Sequence, residues 1–378
     1  MTKPIIEFIA ASLTQPRLIN RASTLSKLFH VNVAGFERGL YDSNQFPGHI
    51  AVENLGLVKA GLRMSRLAPL LKLFSYLLKR TSASSWVYAT SFDGLAASIL
   101  CGRRKLIYEI GDLRTVEAPN SLIARLERFL ISRYCVLVVV TSPGFYSEYF
   151  ARYKISDRKF IVLENKIQES EEHVFLTNRP ANVSDRLRVN SDFNTIITIG
   201  VVGFLRYRKP LAFLKRWVLE RKDEYRLEVF GDGLEKDLFT DLAAGEETSI
   251  MFNGPFKSPD ALFGIYNSID ICFSAYDSES RNVRLAIPNK YFQCGYFRVP
   301  ILVSKDTAVA SLVNQNGVGQ SIDLSSYKNF RTSMNMVTRE AIEGWRNRLA
   351  RQDRVLYVAQ EDNIARIFIE RMDEWTDI

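Results

Sequence analysis

The sequence contains 378 residues, of which 47% are hydrophobic and 24% are charged. This balance excludes a disordered chain, and the length is enough for about two domains with large buried cores. The four cysteines are far apart in the sequence and form no C-x-x-C pair. That spacing favours the buried, reduced thiols of a cytoplasmic protein over a disulfide framework or a cysteine metal site.

The net charge of +8 is concentrated in the first half of the chain. Residues 1–180 contain 24 Lys and Arg against 15 Asp and Glu, whereas residues 181–378 contain 26 against 27. The sequence has no zinc-finger spacing, RNA-recognition signature or Arg-rich arm, so we do not expect a nucleic-acid partner. An anionic membrane surface or a lipid-phosphate acceptor accounts for the asymmetry at least as well.

The first half alternates strand-like and helix-like segments, a pattern typical of a parallel sheet. The predicted strands are residues 5–10, 30–36, 86–91, 106–110 and 136–141. Loops at the carboxyl ends of such strands commonly bind ligands. The loop 12–17, which follows the first strand and ends at Arg17, is therefore a place where an acceptor or a phosphate would be met.

Residues 57–80 form a basic segment with six positive charges and no acidic residue. Leu70, Phe74 and Leu77 recur at helical spacing, and Pro69 is predicted to divide the segment into two short helices. A basic amphipathic helix of this kind can lie on anionic lipid. The alternative is that its apolar face packs on the sheet while its charges are merely solvated.

The second half repeats the alternation of strands and helices. Residues 167–192 are polar and lack a clear period, so we expect the interdomain linker there. Strand-like runs follow the linker, and residues 356–375 are predicted to be a last helix. The expected domains are residues 1–185 and 186–355.

Residues 287–304 are the most informative stretch of the sequence. Pro288 fits the first turn of a helix that should end near Arg298, and Pro300 opens an apolar run typical of a buried parallel strand. The start of a helix attracts phosphates through its dipole and its free N–H groups. The side chains gathered at this helix start are Arg281, Arg284, Asn289 and Lys290. An ordinary crossover with a solvated basic loop explains these residues equally well on their own.

This stretch resembles the nucleotide-sugar signature of GT-B glycosyltransferases, especially the bacterial surface-polysaccharide transferases of retaining family 4. The residues in register with that signature are Pro288, Asn289, Lys290 and Pro300. Gln293 stands where the family has its ribose-binding Glu, and Arg298 stands where it has Gly. The resemblance covers nearly the whole chain. It implies an α/β protein of the GT-B fold, with two Rossmann-like doubly wound parallel-sheet domains facing a cleft and with the C-terminal helix, within residues 356–378, returning to the first domain.

The resemblance also implies a donor site in the second domain. The donor-binding residues would be Gly203, Arg206, Lys209, Gly231, Arg284, Asn289, Lys290 and Gln293. In the family a Gly is followed six residues later by Lys, as Gly203 and Lys209 are here, but Phe204 occupies the place of the usual Arg. We expect Arg206 to replace that Arg, so that it and Lys209 balance a diphosphate.

In the first domain, the resemblance places Asp93, Glu109 and Asp112 at the cleft. Arg17 and Asp93 are the expected acceptor-binding residues. The family's His in this region is absent, so Asp112, and after it Glu109, would be the catalytic base of an inverting reaction. Helix capping or a solvated position explains these carboxylates equally well. No H-E-x-x-H, D-x-D or cysteine cluster indicates a metal site, so we expect a metal-independent hexosyltransferase without a cofactor.

The predicted function is transfer of a sugar from a UDP- or GDP-sugar to a polyprenyl-phosphate-linked or saccharide acceptor in bacterial surface polysaccharide synthesis. The N-terminal apolar run is too short for a signal peptide, and no stretch has the roughly eighteen apolar residues of a membrane span. The expected location is cytoplasmic, on the inner face of the cell membrane, with residues 57–80 against anionic lipid. Two alternatives remain open: a non-catalytic sugar-nucleotide-binding or scaffold protein of a polysaccharide assembly complex, and a GT-B epimerase.

Overall fold

A computed structural model describes residues 3–38, 46–58, 67–82, 84–177, 196–242 and 249–376. The strands are β1 (Ile5–Ala10), β2 (His30–Glu37), β3 (Ala51–Leu57), β4 (Trp86–Ala89), β5 (Leu106–Ile110), β6 (Cys135–Val140), β7 (Phe160–Val162), β8 (Ile167–Gln168), β9 (Ile197–Val202), β10 (Tyr225–Phe230), β11 (Ile250–Gly254), β12 (Ile271–Ser274), β13 (Ile301–Ser304), β14 (Gly319–Ile322) and β15 (Val358–Ala359). The helices are α1 (Pro16–Ser26), α2 (Leu67–Lys79), α3 (Phe92–Leu100), α4 (Leu122–Tyr134), α5 (Pro143–Ser147), α6 (Glu169–Thr177), α7 (Arg208–Glu220), α8 (Asp237–Thr240), α9 (Leu262–Ser268), α10 (Arg281–Leu285), α11 (Asn289–Phe297), α12 (Ala308–Asn316), α13 (Tyr327–Met334), α14 (Arg339–Ala350) and α15 (Glu361–Thr376).

The chain divides into two compact units. Unit 1 comprises Met1–Asn165 and Gln360–Ile378, and unit 2 comprises Lys166–Ala359. Each unit is built on a parallel sheet, with strand order β3-β2-β1-β4-β5-β6-β7 in unit 1 and β11-β10-β9-β12-β13-β14 in unit 2. These sheets confirm the predicted class of two Rossmann-like, doubly wound α/β domains.

The strand order reverses direction once in each sheet. The reversal lies between β1 and β4 in unit 1 and between β9 and β12 in unit 2. Loops that leave the carboxyl ends of such neighbouring strands border a crevice in which doubly wound folds bind ligands. In unit 1 the Ala11 N–H donates to Thr90 Oγ1 at 3.0 Å and ties the two loops together.

Aromatic side chains pack α15 onto the sheet of unit 1. The Phe8 ring on β1 stacks on the Tyr88 ring on β4 with centroids 4.4 Å apart, and the Phe368 ring on α15 lies 6.1 Å from Tyr88. All three side chains are fully buried. Lys27 at the end of α1 also pairs with Glu361 at 3.1 Å. These contacts hold the last helix of the chain in unit 1.

The sequence does not predict β3, the edge strand of unit 1. Its sequence AVENLGL contains polar residues, and most of its side chains are at least partly exposed. Asn54 Nδ2 donates to Glu37 Oε1 of β2 at 2.8 Å. A polar edge strand is held by its backbone ladder and by such polar pairs, so it lacks the apolar run on which the prediction of strands depends.

The helix α2 is a single helix, so the predicted break at Pro69 is wrong. Pro69 is the third residue of α2. In the first turn of a helix an N–H group has no partner within the helix, and a proline therefore costs little. Lys59, Arg63 and Arg66 of the predicted basic segment lie outside the described residues.

Part of the predicted linker belongs to unit 2. Ile167 of β8 pairs with Val358 of β15, and Phe175 of α6 is buried with its ring centroid 5.0 Å from that of Phe297. Phe175 is the one buried residue of α6, whose first turn is acidic. The helix therefore has no apolar period that would reveal it in the sequence.

The division between the units also differs from the predicted domain limits. The structure divides the chain after Asn165, because β8 and α6 pack within unit 2. The predicted boundary at 185/186 lies outside the described residues. Near the C-terminus, a 3₁₀ turn and β15 precede the last helix, which begins at Glu361 instead of residue 356.

Candidate functional site

Two glycine loops pack against each other at the carboxyl ends of β9 and β10 in unit 2. Gly203 and Gly231 have φ angles of 109° and 142°, which favour glycine. A Cβ atom on Gly231 would lie 1.9 Å from the carbonyl oxygen of Gly203, and one on Gly233 would lie 2.5 Å from the Leu205 nitrogen. Glycine thus permits this close backbone approach, which brings together Gly203 and Gly231, two of the residues predicted to bind the sugar donor.

Lys290 reaches these glycine loops from the first turn of α11. Its side chain is buried, and a Cβ atom on Gly203 would lie 3.5 Å from its Nζ atom. The Nζ atom donates a hydrogen bond of 2.8 Å to Gln293 Oε1, which is an uncharged acceptor. Burial lowers the pKa of the Lys290 amine because the charged form is poorly solvated there. A buried amine beside a glycine loop can bind an anionic ligand directly.

Gln293 is held from two sides within unit 2. Its Oε1 atom accepts from Lys290 and also from the hydroxyl of Tyr266 at 2.9 Å. The Tyr266 ring is buried and stacks on Phe297 with centroids 4.9 Å apart. Sequence reasoning missed Tyr266, because it lies on α9, 27 positions before Gln293. No local pattern links two residues that meet only through packing of two helices.

We expect Gln293→Glu to stabilise the protein at neutral pH by about 1 kcal/mol, because a charged acceptor strengthens the hydrogen bond from Lys290. The lowered pKa of Lys290 means that the unfolded chain binds more protons than the folded chain between that pKa and its ordinary value. The free energy of unfolding of the unaltered protein should therefore rise with pH in this window. The substitution should raise the pKa of Lys290 and flatten that rise.

Urea unfolding at neutral and at mildly alkaline pH measures both effects. Gln315→Glu is the matched control, since Gln315 is an exposed residue of α12 in the same unit and the change adds the same charge. Equal free energies of unfolding for Gln293→Glu and the control at both pH values would contradict a charge-assisted hydrogen bond from Lys290 to residue 293.

The predicted diphosphate-binding cations lie on the segment that follows β9. Arg206 is exposed, and its guanidinium carbon lies 5.7 Å from the centre of the Phe204 ring. Lys209 Nζ lies 3.4 Å from Glu279 Oε1 in the loop after β12. The helix α7 begins at Arg208 with no side-chain cap and no acidic residue in its first turn. Its dipole therefore adds to the positive potential at this reversal point of the sheet.

The start and end of α11 agree with the sequence prediction. Arg284 and Asn289 are exposed near its start, and its N-cap, Pro288, provides no side-chain hydrogen bond. The helix ends at Phe297, and its C-cap Arg298 has a left-handed φ of 58°. Glycine adopts this conformation without steric cost. The Gly of the family signature thus corresponds to a backbone requirement that an arginine meets in this chain.

The predicted acceptor residues lie at the reversal point of unit 1. Arg17 is in the first turn of α1, which follows β1, and Asp93 is in the first turn of α3, which follows β4. Asp93 is exposed, as is Asp112 in the loop after β5. These three polar residues therefore lie just beyond the carboxyl ends of β1, β4 and β5, at the same edge of one sheet.

Glu109, the second predicted base, is buried on β5 inside a polar cluster. The Tyr88 hydroxyl donates to its Oε2 atom at 2.5 Å. Arg17 Nε lies 3.1 Å from Oε1, and Arg21 Nε lies 3.7 Å from Oε2. Burial and the Glu109 carboxylate raise the pKa of Tyr88 well above its ordinary value. Sequence reasoning missed Tyr88 and Arg21, which read as ordinary strand and helix residues.

The described ranges contain no group of three or more His, Cys, Asp or Glu side chains that could hold a metal ion. Within the same ranges, no helix is both long and apolar enough to span a bilayer.

Comparison with known proteins gives a likeness of fold. No protein-family model matches the sequence. No curated protein matches it either. The structure of HepE from Anabaena in complex with UDP and glucose matches with a TM-score of 0.66 and 16% identity over 97% of this chain and 99% of that chain. WaaG, a glycosyltransferase involved in lipopolysaccharide biosynthesis, matches with a TM-score of 0.67 and 12% identity over 96% and 99%.

Sucrose-phosphate synthase from Thermosynechococcus elongatus is similar to the same extent, with a TM-score of 0.66 and 12% identity over 97% of this chain and 99% of that chain. These three structures share the GT-B fold of glycosyltransferases. At such low identities the likeness shows fold alone. This chain therefore has the GT-B fold, as the resemblance of residues 287–304 predicts.

Proposed function

We propose that the protein is a glycosyltransferase that moves a hexose from a UDP- or GDP-sugar to a polyprenyl-phosphate-linked or saccharide acceptor in bacterial surface polysaccharide synthesis. The observation that carries this proposal is the glycine loop cluster of unit 2, where Gly203 and Gly231 pack backbone to backbone beside the buried amine of Lys290. The lack of side chains at these glycines lets a ligand approach the backbone closely, and the Lys290 amine beside them can donate to a nucleotide diphosphate. The similar structure of HepE, which contains UDP and glucose, supports a nucleotide sugar as the donor.

Arg206 and Lys209 provide the charge that stabilises the departing nucleoside diphosphate. Both follow β9 at the reversal point of the sheet, and Lys209 lies beside the loop that follows β12. Negative charge grows on the diphosphate as its bond to the sugar breaks, so cations fixed at this place lower the energy of the transition state. Because these cations belong to the protein, we propose that transfer requires no metal ion.

Asp112 is the stronger of the two candidates for a catalytic base. Its side chain is exposed in the loop after β5, whereas Glu109 is enclosed by Tyr88, Arg17 and Arg21. An inverting reaction needs a carboxylate that can reach the acceptor hydroxyl. A retaining reaction would instead depend on the diphosphate and on backbone groups. In both cases Arg17 and Asp93 would bind the acceptor.

A polyprenyl-phosphate acceptor would present its reactive end at the surface of a bilayer. We therefore propose that the protein acts on the inner face of the cell membrane, with residues 57–80 contacting anionic lipid. Lys72, Lys79 and Arg80 of this segment are exposed, which leaves them accessible to lipid phosphates.

We expect Lys209→Ala to weaken nucleotide binding by about tenfold or more, since a charge-assisted hydrogen bond contributes roughly 1.5 to 3 kcal/mol. Isothermal titration calorimetry with UDP and GDP measures the loss, and a chelator should leave the affinity unchanged. Lys222→Ala is the matched control, because Lys222 is exposed just beyond the opposite end of the same helix. An unchanged affinity for Lys209→Ala, or binding abolished by the chelator, would contradict the proposed diphosphate site.

Analysis of reaction products separates the proposed function from its alternatives. A panel of nucleotide sugars incubated with polyprenyl-phosphate and saccharide acceptors should give a glycosylated acceptor and a nucleoside diphosphate. An epimerase would instead change the nucleotide sugar with no acceptor present. A scaffold protein would bind the nucleotide and release no product.

A further inference from the structure

The helix α4 of unit 1 turns a continuous apolar surface to solvent. Four large apolar side chains, here called the outer face of α4, are exposed by 43% to 80%. They are Leu122 at 80%, Ile123 at 61%, Leu126 at 43% and Phe129 at 57%. Residues spaced by three or four positions lie on one side of a helix, so these side chains form one patch. Contiguous apolar patches of this kind usually mark an interaction site.

The orientation of α4 is fixed by its opposite side. Ala124, Leu130 and Ile131 are buried, and the Glu127 carboxylate faces inward. Glu127 accepts from the Tyr108 hydroxyl at 2.9 Å and from the Thr115 hydroxyl at 2.6 Å. Because the inner side is fully engaged, α4 cannot rotate its outer face into the core of unit 1.

The exposed charged residues of α4 itself are positive. Arg125 and Arg133 are exposed on α4, whose single acidic residue is the inward-facing Glu127. At the C-terminal end of α4 the Phe129 ring lies 6.3 Å from that of Tyr134, and the guanidinium carbons of Arg133 and Arg104 lie 5.6 and 5.7 Å from the centre of the same Tyr134 ring. Apolar and aromatic side chains flanked by arginines suit the boundary between lipid headgroups and acyl chains.

The basic segment 57–80 exposes fewer large apolar side chains in its described part than α4 does, namely Leu57, Leu71 and Leu78. Leu73, Tyr76 and Leu77 of α2 are buried, so the apolar stripe of α2 packs inward. Leu71 and Leu78 are exposed on α2. The sequence therefore located the basic segment but not the exposed apolar face of α4.

We propose that the outer face of α4 inserts into the headgroup region of an anionic bilayer. This inference deepens the membrane contact of the proposed function, since it names a surface that residues 57–80 do not include. A second copy of the chain fits this face poorly, because a symmetric contact would bring Arg125 and Arg133 toward the same cations of the other copy. An anionic lipid surface satisfies the apolar side chains and the arginines together.

Sedimentation with vesicles of phosphatidylcholine and phosphatidylglycerol tests the insertion. We expect the double substitution Leu122→Ser and Phe129→Ser to lower vesicle affinity by about tenfold or more. The matched control is Met251→Ser with Met336→Ser, which removes two side chains that are 58% and 62% exposed in unit 2. Vesicles of phosphatidylcholine alone should bind the unaltered protein more weakly, because they do not attract Arg125 and Arg133.

A second measurement locates the contact directly. Tryptophan fluorescence of Phe129→Trp should be quenched by brominated lipid, whereas that of Met251→Trp should not. Equal vesicle affinity of the α4 double variant and the control, or binding indifferent to lipid charge, would overturn the proposal. So would a dimer that dissociates on substitution of the outer face, because the face would then join two copies of the chain.

Nucleotide calorimetry on the same variants keeps this inference separate from the proposed function. We expect the outer-face variants to bind nucleotide like the unaltered protein. Vesicle binding that depends on α4 in a protein without transferase activity would sustain the inference and refute the function. Transferase activity toward a soluble acceptor, with no dependence of vesicle binding on α4, would do the reverse.

Discussion

Replacing Gly231 with Ala is expected to disrupt the glycine loop cluster and to lower nucleotide affinity by about tenfold or more. The added Cβ atom would lie 1.9 Å from the carbonyl oxygen of Gly203 and 2.8 Å from its carbonyl carbon. Both are backbone atoms, so no side chain can rotate away to relieve the overlap. The φ angle of 142° adds strain for any residue with a Cβ atom.

The cost of Gly231→Ala to folding should be about 3 kcal/mol or more, from backbone strain and from displacement of packed backbone. The displacement would move the Gly203 N–H, which donates to the Phe230 carbonyl at 2.8 Å. Urea unfolding and nucleotide calorimetry measure the two effects. Gly344→Ala is the control with the opposite expected sign, because Gly344 lies within α14, has open space at its Cβ position, and should gain helix stability. If Gly231→Ala unfolds and binds nucleotide like the unaltered protein, the close approach of the two loops is wrong.

The sequence predicted best where local chemistry determines the structure. Pro288 and the apolar run after Pro300 correctly indicated α11 and β13, because caps and hydrophobic runs act over a few residues. The same reasoning failed for β3, whose stability comes from pairing with β2 and not from its own polar sequence. Pro69 misled because its effect depends on its position within a helix, and the start of α2 has no strong signal in the sequence.

The candidate site was predictable as a set of loops but not as a set of contacts. Gly203, Gly231 and Lys290 come together because loops after parallel strands share one edge of the sheet. The hydrogen bond from Tyr266 to Gln293 joins two helices, so it follows only from their packing. The outer face of α4 was missed because apolar residues on both sides of a helix read as a buried helix in the sequence.

The burial of Glu109 makes it a weaker candidate for the catalytic base and favours a structural role. A carboxylate at the end of a parallel strand is a reasonable candidate for a base, but sequence does not reveal how many groups will enclose it. The structure surrounds Glu109 with the Tyr88 hydroxyl and the side chains of Arg17 and Arg21, and leaves it 3% exposed. Such a carboxylate is suited to hold these two arginines of α1 in place.

We therefore expect Glu109→Ala to destabilise the protein by about 3 to 5 kcal/mol, because removal of one partner leaves buried charge uncompensated. Glu109→Gln should cost less, since its amide oxygen can still accept from Tyr88. Thermal unfolding of both variants measures the cost. Glu148→Ala, which removes an exposed pair with Arg152 at 3.0 Å, should change stability by less than about 1 kcal/mol. A Glu109→Gln protein that is as stable as the unaltered one and binds acceptor normally, but is inactive in sugar transfer, would instead identify Glu109 as the base, in place of Asp112.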